Sequence, residues 1–188
     1  IFLHFVVASL LFLLAKKVFK DTLLSFMGAL IFLVMSGYSE AVFWISATGH
    51  LFNAVFIMLS LLFFIKWEEN RKIVFFILSI LSSVLSLLFH ELGVIVPLFM
   101  ILYKFVMEDF SFSFKRIFNK SYIGLFTVPI ILYFFARIFS QSHWFSGDYS
   151  YNLVKLPLNF IGNIIGYFVL TLTGPFSLSV YEIARNIT

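Results

Sequence analysis

Two turns of this chain hold histidine and glutamate but neither lysine nor arginine. Glu40 and His50 lie near the two ends of the stretch SEAVFWISATGH, and His90 and Glu91 are adjacent between LSLLF and LGVIVPLF. An imidazole beside a carboxylate can transfer a proton, hold a polar substrate or bind a metal ion. The alternative for each pair is a hydrated turn, in which Glu91 would also favour the dipole of the helix that follows.

Three further residues are candidates for binding a polar headgroup or a phosphate. Trp44 lies between Glu40 and His50, and a tryptophan there suits the headgroup depth of a bilayer. Arg137 and Lys155 carry positive charge, and an arginine can bind a phosphate through two parallel hydrogen bonds. The alternative for Arg137 is snorkelling to lipid headgroups, which would leave it no role in a site.

The composition indicates that these residues belong to a membrane protein. Of the 188 residues, 62% are apolar and 12% are charged, and the mean hydropathy is +1.05. Seven apolar segments can be drawn, over about 1–15, 22–38, 50–66, 73–89, 92–107, 121–139 and 157–173. A helix needs about 20 apolar residues to cross a bilayer core. The sequence therefore predicts an all-α fold, a polytopic transmembrane helical bundle of six to seven membrane segments that forms one domain over 1–188. Whether 157–173 spans the membrane or is re-entrant is left open.

Lysine and arginine occupy every second gap between the apolar segments. The gaps 16–21, 66–72 and 104–120 hold ten of the thirteen Lys and Arg residues, whereas 39–49 and 90–91 hold none. The positive-inside rule assigns the basic gaps to the cytoplasm, so both histidine–glutamate turns are predicted to be external. His4 is predicted at the same face, where a lone histidine on an apolar helix is more typical of packing. The net charge of +4 is explained by these gaps, which favour membrane lipids over nucleic acid as partners.

Two expectations concern the origin of the chain. Because Ile1 stands inside an apolar run, we expect a fragment of a longer protein that is incomplete at both ends. Enrichment in Phe, Ile, Asn and Lys favours the bacterial cytoplasmic membrane over the endoplasmic reticulum. The chain has no cysteine, which excludes a disulfide framework and thiolate ligands within it.

The stretch EAVFWISATGHLFNAVFIMLSLLFF, followed after a basic turn by LSLLFHELGVIVPLFMILY, resembles a known family. It is similar to the polytopic glycosyltransferases of the C-type superfamily, in particular the O-mannosyltransferases with tetratricopeptide repeats and their bacterial relatives. That family shows EAV-x-W-I-S-G-R-x-D-L-L and, after two helices, S-K-E placed six residues before P-L. Glu40, Trp44 and Ser46 match the first motif, and Glu91 with Pro97 matches the second. The resemblance covers 1–107, and beyond it only the hydropathy agrees.

This resemblance implies an enzyme that moves a sugar from a polyprenyl-phosphate donor to an acceptor at the extracytoplasmic face. The family's catalytic acid, usually an Asp in the first external loop, would lie upstream of Ile1. The phosphate of the donor leaves as an anion, and a nearby positive charge or divalent metal ion would stabilise it. His50, His90 and Glu91 are the candidate ligands of such a metal ion. The chain departs from the family where Arg-x-Asp becomes Thr48-Gly49-His50 and where Ser-Lys becomes Phe89-His90. Substrate contacts are therefore expected to differ.

Two other classes of protein fit the same pattern. A lipid or solute transporter, or a flippase-like carrier without transferase activity, would also place polar residues at a membrane face. Transporters often contain inverted repeats and broken helices, but no repeat is visible here and Pro97 is a weak sign of a break. A structural subunit, whose external polar residues pack against a partner, is the third alternative.

Overall fold

The computed structural model describes residues 1–35, 47–107 and 123–139, together with residue 168. Within these ranges the chain is helical and contains no strand. The predictions for Glu40, Trp44 and Lys155, and those for nearly all of 157–173, lie outside the described residues. The helices are α1 (Phe2–Phe19), α2 (Thr22–Val34), α3 (Thr48–Asn70), α4 (Ile73–Phe89), α5 (Val96–Met107) and α6 (Thr127–Phe139). Short 3₁₀ helices at Glu91–Ile95 and Ile123–Phe126 precede α5 and α6.

Two of these helices, α1 and α3, are long and apolar enough to cross a membrane. Shorter apolar helices occupy Thr22–Val34, Ile73–Phe89 and Ile123–Phe139. The predicted segment 92–107 is not α-helical throughout, because its first turn is the 3₁₀ helix that ends at Ile95. All-helical architecture is thus confirmed for the described residues.

The two basic turns close in the same way. Lys20 and Arg71 adopt left-handed backbone conformations, with φ of 56° and 55°, and each amide donates to the carbonyl four residues earlier. Asp21 then begins α2, because its side chain accepts from the amides of Leu23 and Leu24 at 2.8 and 3.0 Å. A left-handed residue after a helix reverses the chain within few residues, so α1 and α2 pack as one antiparallel pair and α3 and α4 as another.

Helix α3 is central, since it packs against α1, α4 and α5. Its contact with α4 includes a buried pair of serines. The Ser60 hydroxyl donates to the Ser79 carbonyl at 2.8 Å, and the Ser79 hydroxyl donates to the Ser60 carbonyl at 2.7 Å. Small hydroxyl residues let apolar helices approach closely and hydrogen-bond across the interface. We call this serine pair the serine seam, and it fixes the position of α3 along the axis of α4.

An aromatic cluster joins α6 to the rest. Phe126, which directly precedes α6, is fully buried and meets Phe64 and Phe76 edge-on, with ring centroids 6.2 and 5.8 Å away. Trp67 packs against both Phe64 and Phe76. Edge-to-face aromatic pairs add about 0.5–1.5 kcal/mol beyond the area that they bury. The cluster therefore fixes the start of α6. The last turn of α6 lies at the end of the bundle opposite to this cluster.

Candidate functional site

Three ion pairs gather at one end of the bundle. Lys17 binds Glu69 at 2.8 Å, and Glu68 accepts from Lys104 at 2.8 Å and from Arg71 at 3.2 Å. We call this region, formed by these five side chains, the basic end. One basic residue from each of the three predicted basic gaps is present, so the described parts of these gaps meet at one end of the structure.

Four of the predicted site residues meet at the other end. His50 lies in the first turn of α3 and His90 directly after α4, and their ring centroids are 4.3 Å apart. Glu91 begins the following 3₁₀ helix, and its Oε2 accepts from Nη1 of Arg137, on the last turn of α6, at 2.5 Å. We call His50, His90, Glu91 and Arg137 the histidine cluster. Residues up to 87 positions apart in the sequence thus form one group.

The turn that carries His90 and Glu91 is held by Asn53. Its side-chain amide donates to the carbonyls of Ser86 and His90, at 2.8 and 3.0 Å, and Asn53 is only 3% exposed. These carbonyls lie at the end of α4 and also accept from the backbone amides of His90 and Gly93, so Asn53 is a second donor to each. Asn53 is not among the residues predicted from the sequence, although an isolated amide within an apolar run and one turn after His50 is a usable signal.

Glycine at position 93 is required by close packing against α4. A Cβ at Gly93 would lie 2.5 Å from the Ser86 hydroxyl and 2.7 Å from the Leu87 amide nitrogen. Such distances are far inside van der Waals contact, so only glycine lets the 3₁₀ helix rest on the end of α4. This contact sets where Glu91 enters the cluster.

Aromatic stacking fixes the same turn from the α3 side. The Phe89 ring stacks on Phe52 and Phe56, with centroids 4.8 and 5.5 Å apart. Phe52 and Phe56 lie one turn apart on α3, so Phe89 spans that turn. His90 follows immediately and is thereby held beside His50.

The environment of His90 favours the neutral form of its imidazole. Burial, followed by the neighbouring His50, lowers the pKa of His90 below its usual 6.5, and Arg137 acts in the same direction while Glu91 opposes it. The Nδ1 atom of His90 accepts from the Leu92 amide at 3.2 Å. In the neutral ring, the proton is therefore assigned to Nε2, which makes His90 a hydrogen-bond donor at that atom.

Arg137 is positioned by two partners. Its Nη1 donates to Glu91 and to the Tyr133 hydroxyl, each at 2.5 Å, and its Cζ lies 5.7 Å from the centroid of the Tyr133 ring. Tyr133 precedes Arg137 by one helical turn, the spacing that lets two side chains meet on a helix face. Neither Tyr133 nor the contact between Arg137 and Glu91 was predicted from the sequence. Arg137 is therefore bound within the protein, which differs from the snorkelling alternative.

No group of three or more His, Asp or Glu side chains that could hold a metal ion is found among the described residues. His50 lies beside His90, but Nδ1 of His90 accepts from the Leu92 amide, its Nε2 carries the proton, and Glu91 is engaged by Arg137. A divalent ion at this pair would need further ligands from elsewhere in the chain or from a substrate.

His4 lies outside the histidine cluster, between α1 and α2. Its Nε2 is 3.3 Å from the Leu33 carbonyl oxygen, and its ring stacks on Phe32 with centroids 5.0 Å apart. With 7% exposure, it contacts a neighbouring helix as a packing histidine does.

Comparisons of this chain with family models, with curated proteins and with solved structures found no match. The resemblance to polytopic glycosyltransferases therefore depends on the quoted motifs alone, and the histidine cluster must be interpreted from its own geometry.

Proposed function

We propose that this chain is the membrane-embedded part of a multi-pass glycosyltransferase. It would take a sugar from a polyprenyl-phosphate-linked donor and pass it to an acceptor at the extracytoplasmic face of a bacterial cytoplasmic membrane. The observation that carries the proposal is the Arg137–Glu91 pair beside a neutral His90, at the end of the bundle opposite the basic end.

The outer surface supports membrane insertion in several passes. Many large apolar side chains are more than half exposed, and they occur on α1, α2, α4 and α6. Examples are Phe5, Leu23, Leu88 and Leu132. Water-soluble monomers rarely expose large contiguous apolar patches, whereas lipid tails cover such a surface at no cost. The positive-inside rule then directs the basic end to the cytoplasm and the histidine cluster outward.

The histidine cluster supports binding of a phosphate at headgroup depth. Arg137 supplies a guanidinium and His90 supplies an Nε2–H, two donors suited to the oxygens of a phosphate that leaves as an anion. An arriving phosphate would compete with Glu91 for Arg137, because both present paired oxygens to the same fork. Glu91 would thus hold Arg137 in place before the donor binds.

The bonds in the proposed reaction are few. The acceptor hydroxyl oxygen attacks the anomeric carbon, the bond from that carbon to the phosphate oxygen breaks, and the phosphate leaves with the bonding electrons. The hydroxyl proton passes to a carboxylate base, which the family resemblance assigns to an Asp of the first external loop of that family. A divalent ion held by His50 with further ligands from a substrate would add positive charge at the leaving group. Within this chain, Arg137 and His90 bind the phosphate, and Glu91 positions Arg137.

The test is sugar transfer from a polyprenyl-phosphate sugar in membranes that contain the protein. We expect Arg137→Gln and Glu91→Gln each to lower transfer at least tenfold, with unchanged membrane insertion. Lys17→Gln is the matched control, because it breaks an ion pair of similar length at the basic end. Unchanged transfer in both variants, or an equal loss in the control, would contradict the assignment.

A transporter is the second candidate, and one observation favours it. The 3₁₀ helix Glu91–Ile95 interrupts regular α-helix next to the histidine cluster, and interrupted helices line the substrate sites of many transporters. Flux of a lipid or solute into liposomes containing the protein, without any sugar transfer, would favour this candidate over the enzyme.

A further inference from the structure

The basic end contains a groove that the proposed transfer reaction does not use. It lies between α1 and α3 and has a volume of about 540 Å³, within the range of about 300–1,000 Å³ that is typical of ligand pockets. Its apolar wall is formed by Leu10, Leu13, Leu59, Leu62 and Phe63. Lysines line the part nearest the basic end, and they are Lys16, Lys17, Lys20 and Lys66.

Most of this positive charge is not neutralised by described carboxylates. Glu69 pairs with Lys17, Glu68 pairs with two cations outside the groove, and Asp21 caps α2. These are the acidic side chains described at this end of the bundle. Within the described residues, no carboxylate lies at ion-pair distance from Lys16, Lys20 or Lys66.

The ammonium groups of two groove lysines lie over aromatic rings that are not themselves part of the groove wall. The Nζ of Lys16 is 6.0 Å from the centroid of Phe12, and that of Lys66 is 5.7 Å from the centroid of Phe75. Both lysines are exposed, so their ammonium groups are accessible at the mouth of the groove. An apolar wall below several ammonium groups matches a molecule with a hydrocarbon tail and an anionic head.

We propose that this groove binds one acyl chain of an anionic phospholipid, with the headgroup phosphate against Lys16, Lys20 and Lys66. The apolar wall gives a soluble phosphate nothing to contact, and the lysines give a neutral lipid no advantage. Basic pockets between membrane helices on the cytoplasmic side are suited to anionic headgroups. The alternation of basic gaps along the sequence directs the basic end to the cytoplasmic side. The site is independent of the proposed transfer at the histidine cluster.

Native mass spectrometry of the detergent-solubilised protein tests the proposal with two lipids, phosphatidylglycerol and phosphatidylcholine. We expect one phosphatidylglycerol to be retained in preference to phosphatidylcholine, and inorganic phosphate not to displace it. Because each lysine near a headgroup contributes about fivefold in affinity, Lys66→Gln should weaken phosphatidylglycerol binding about fivefold. Lys72→Gln removes the same charge from the same turn, outside the groove, and should leave binding within about twofold.

A second pair of variants tests the groove itself. Leu13 is 48% exposed and lines the groove, so Leu13→Trp should fill it without disturbing the core and should abolish selective retention. Leu81→Trp is the control, since Leu81 is 52% exposed on α4 and does not line the groove. Equal retention of the two lipids by the unaltered protein would overturn the proposal. Equal losses in Lys66→Gln and Lys72→Gln, or full binding by Leu13→Trp, would overturn it as well.

Discussion

The two ends of this bundle are both rich in charged or polar side chains, but they are organised differently. At the basic end, charges meet one another at the tips of long side chains, which are 40% and 44% exposed in the Lys17–Glu69 pair but only 12% and 11% exposed in the Lys104–Glu68 pair. At the histidine cluster, backbone groups are held by a buried amide and by a glycine contact that admits no side chain. Stability at the basic end therefore depends on charge, and for the exposed pair on salt, whereas at the histidine cluster it depends on steric fit, which positions four functional groups.

The largest expected effect breaks the steric fit at the histidine cluster. Gly93→Ala places a methyl group against backbone and hydroxyl atoms of α4, so we expect a loss of about 1–3 kcal/mol in the free energy of unfolding. Gly28→Ala is the matched control, because a Cβ there meets nothing within 4 Å and alanine favours a helix interior by about 0.5–1 kcal/mol. Thermal unfolding in detergent measures both. A Gly93→Ala protein as stable as the control would mean that the turn does not need this contact.

The second prediction removes the amide that holds the turn. Asn53→Leu keeps the size of the side chain but deletes two hydrogen bonds to carbonyls, so we expect a loss of about 1–2 kcal/mol. Because the His90 carbonyl is one of the two acceptors, sugar transfer should fall together with stability. Ser60→Ala, which removes hydrogen bonds from the seam between α3 and α4, should lower stability and leave transfer unchanged. If Asn53→Leu and Ser60→Ala lowered sugar transfer equally, the histidine cluster would be no more important for transfer than the contact between α3 and α4.

The third prediction concerns charges at the basic end. Lys104→Gln breaks a pair whose side chains are 12% and 11% exposed, and it should cost about 1 kcal/mol or more. Lys17→Gln breaks an exposed pair and should cost about 0.5 kcal/mol, an effect that largely disappears in 1 M salt. Unfolding at low and high salt gives both values. If salt affected Gly93→Ala as much as Lys17→Gln, the contrast between the ends would not hold.

The smallest effect is a pH dependence from His90. Its pKa is lowered by burial and by His50, so the folded protein binds this proton more weakly than the unfolded chain does. The stability contributed by neutral His90 is therefore complete above pH 6.5 and is lost as the pH falls below 6.5 through the lowered pKa. NMR titration of the imidazole should show a midpoint below 6.5 that rises in His50→Gln. A midpoint unchanged in that variant would show that His50 does not act on His90.

Much of the arrangement could be predicted from the sequence because hydropathy and charge position act locally. Six of the seven predicted apolar segments coincide with helices, and the alternation of basic gaps brings Lys17, Arg71 and Lys104 to one end. It also placed His50, His90 and Glu91 opposite them. These features require only that each segment form one helix and that the chain reverse after it, so the sequence specifies them without any knowledge of neighbours.

Contacts between specific side chains could not be predicted in this way. The Arg137–Glu91 pair depends on α6 packing beside the end of α4, which the buried ring of Phe126 directs. The roles of Asn53 and Gly93 depend on where α3 and the 3₁₀ helix touch the last turn of α4. Nothing within its own segment distinguishes Gly93 from a flexible glycine, and the isolated amide of Asn53, although a usable signal, does not show which carbonyls it binds.

The sequence by itself determined that this chain is apolar, helical and polarised, with basic residues at alternate turns. It did so because side-chain hydropathy and charge are properties of single segments. Tertiary structure decided which polar residues meet: it joined His50 to His90 and Glu91 to Arg137, and it left His4 to pack against Leu33. Those contacts depend on the height and rotation of packed helices, which the serine seam, the phenylalanine stacks and the Gly93 contact determine together.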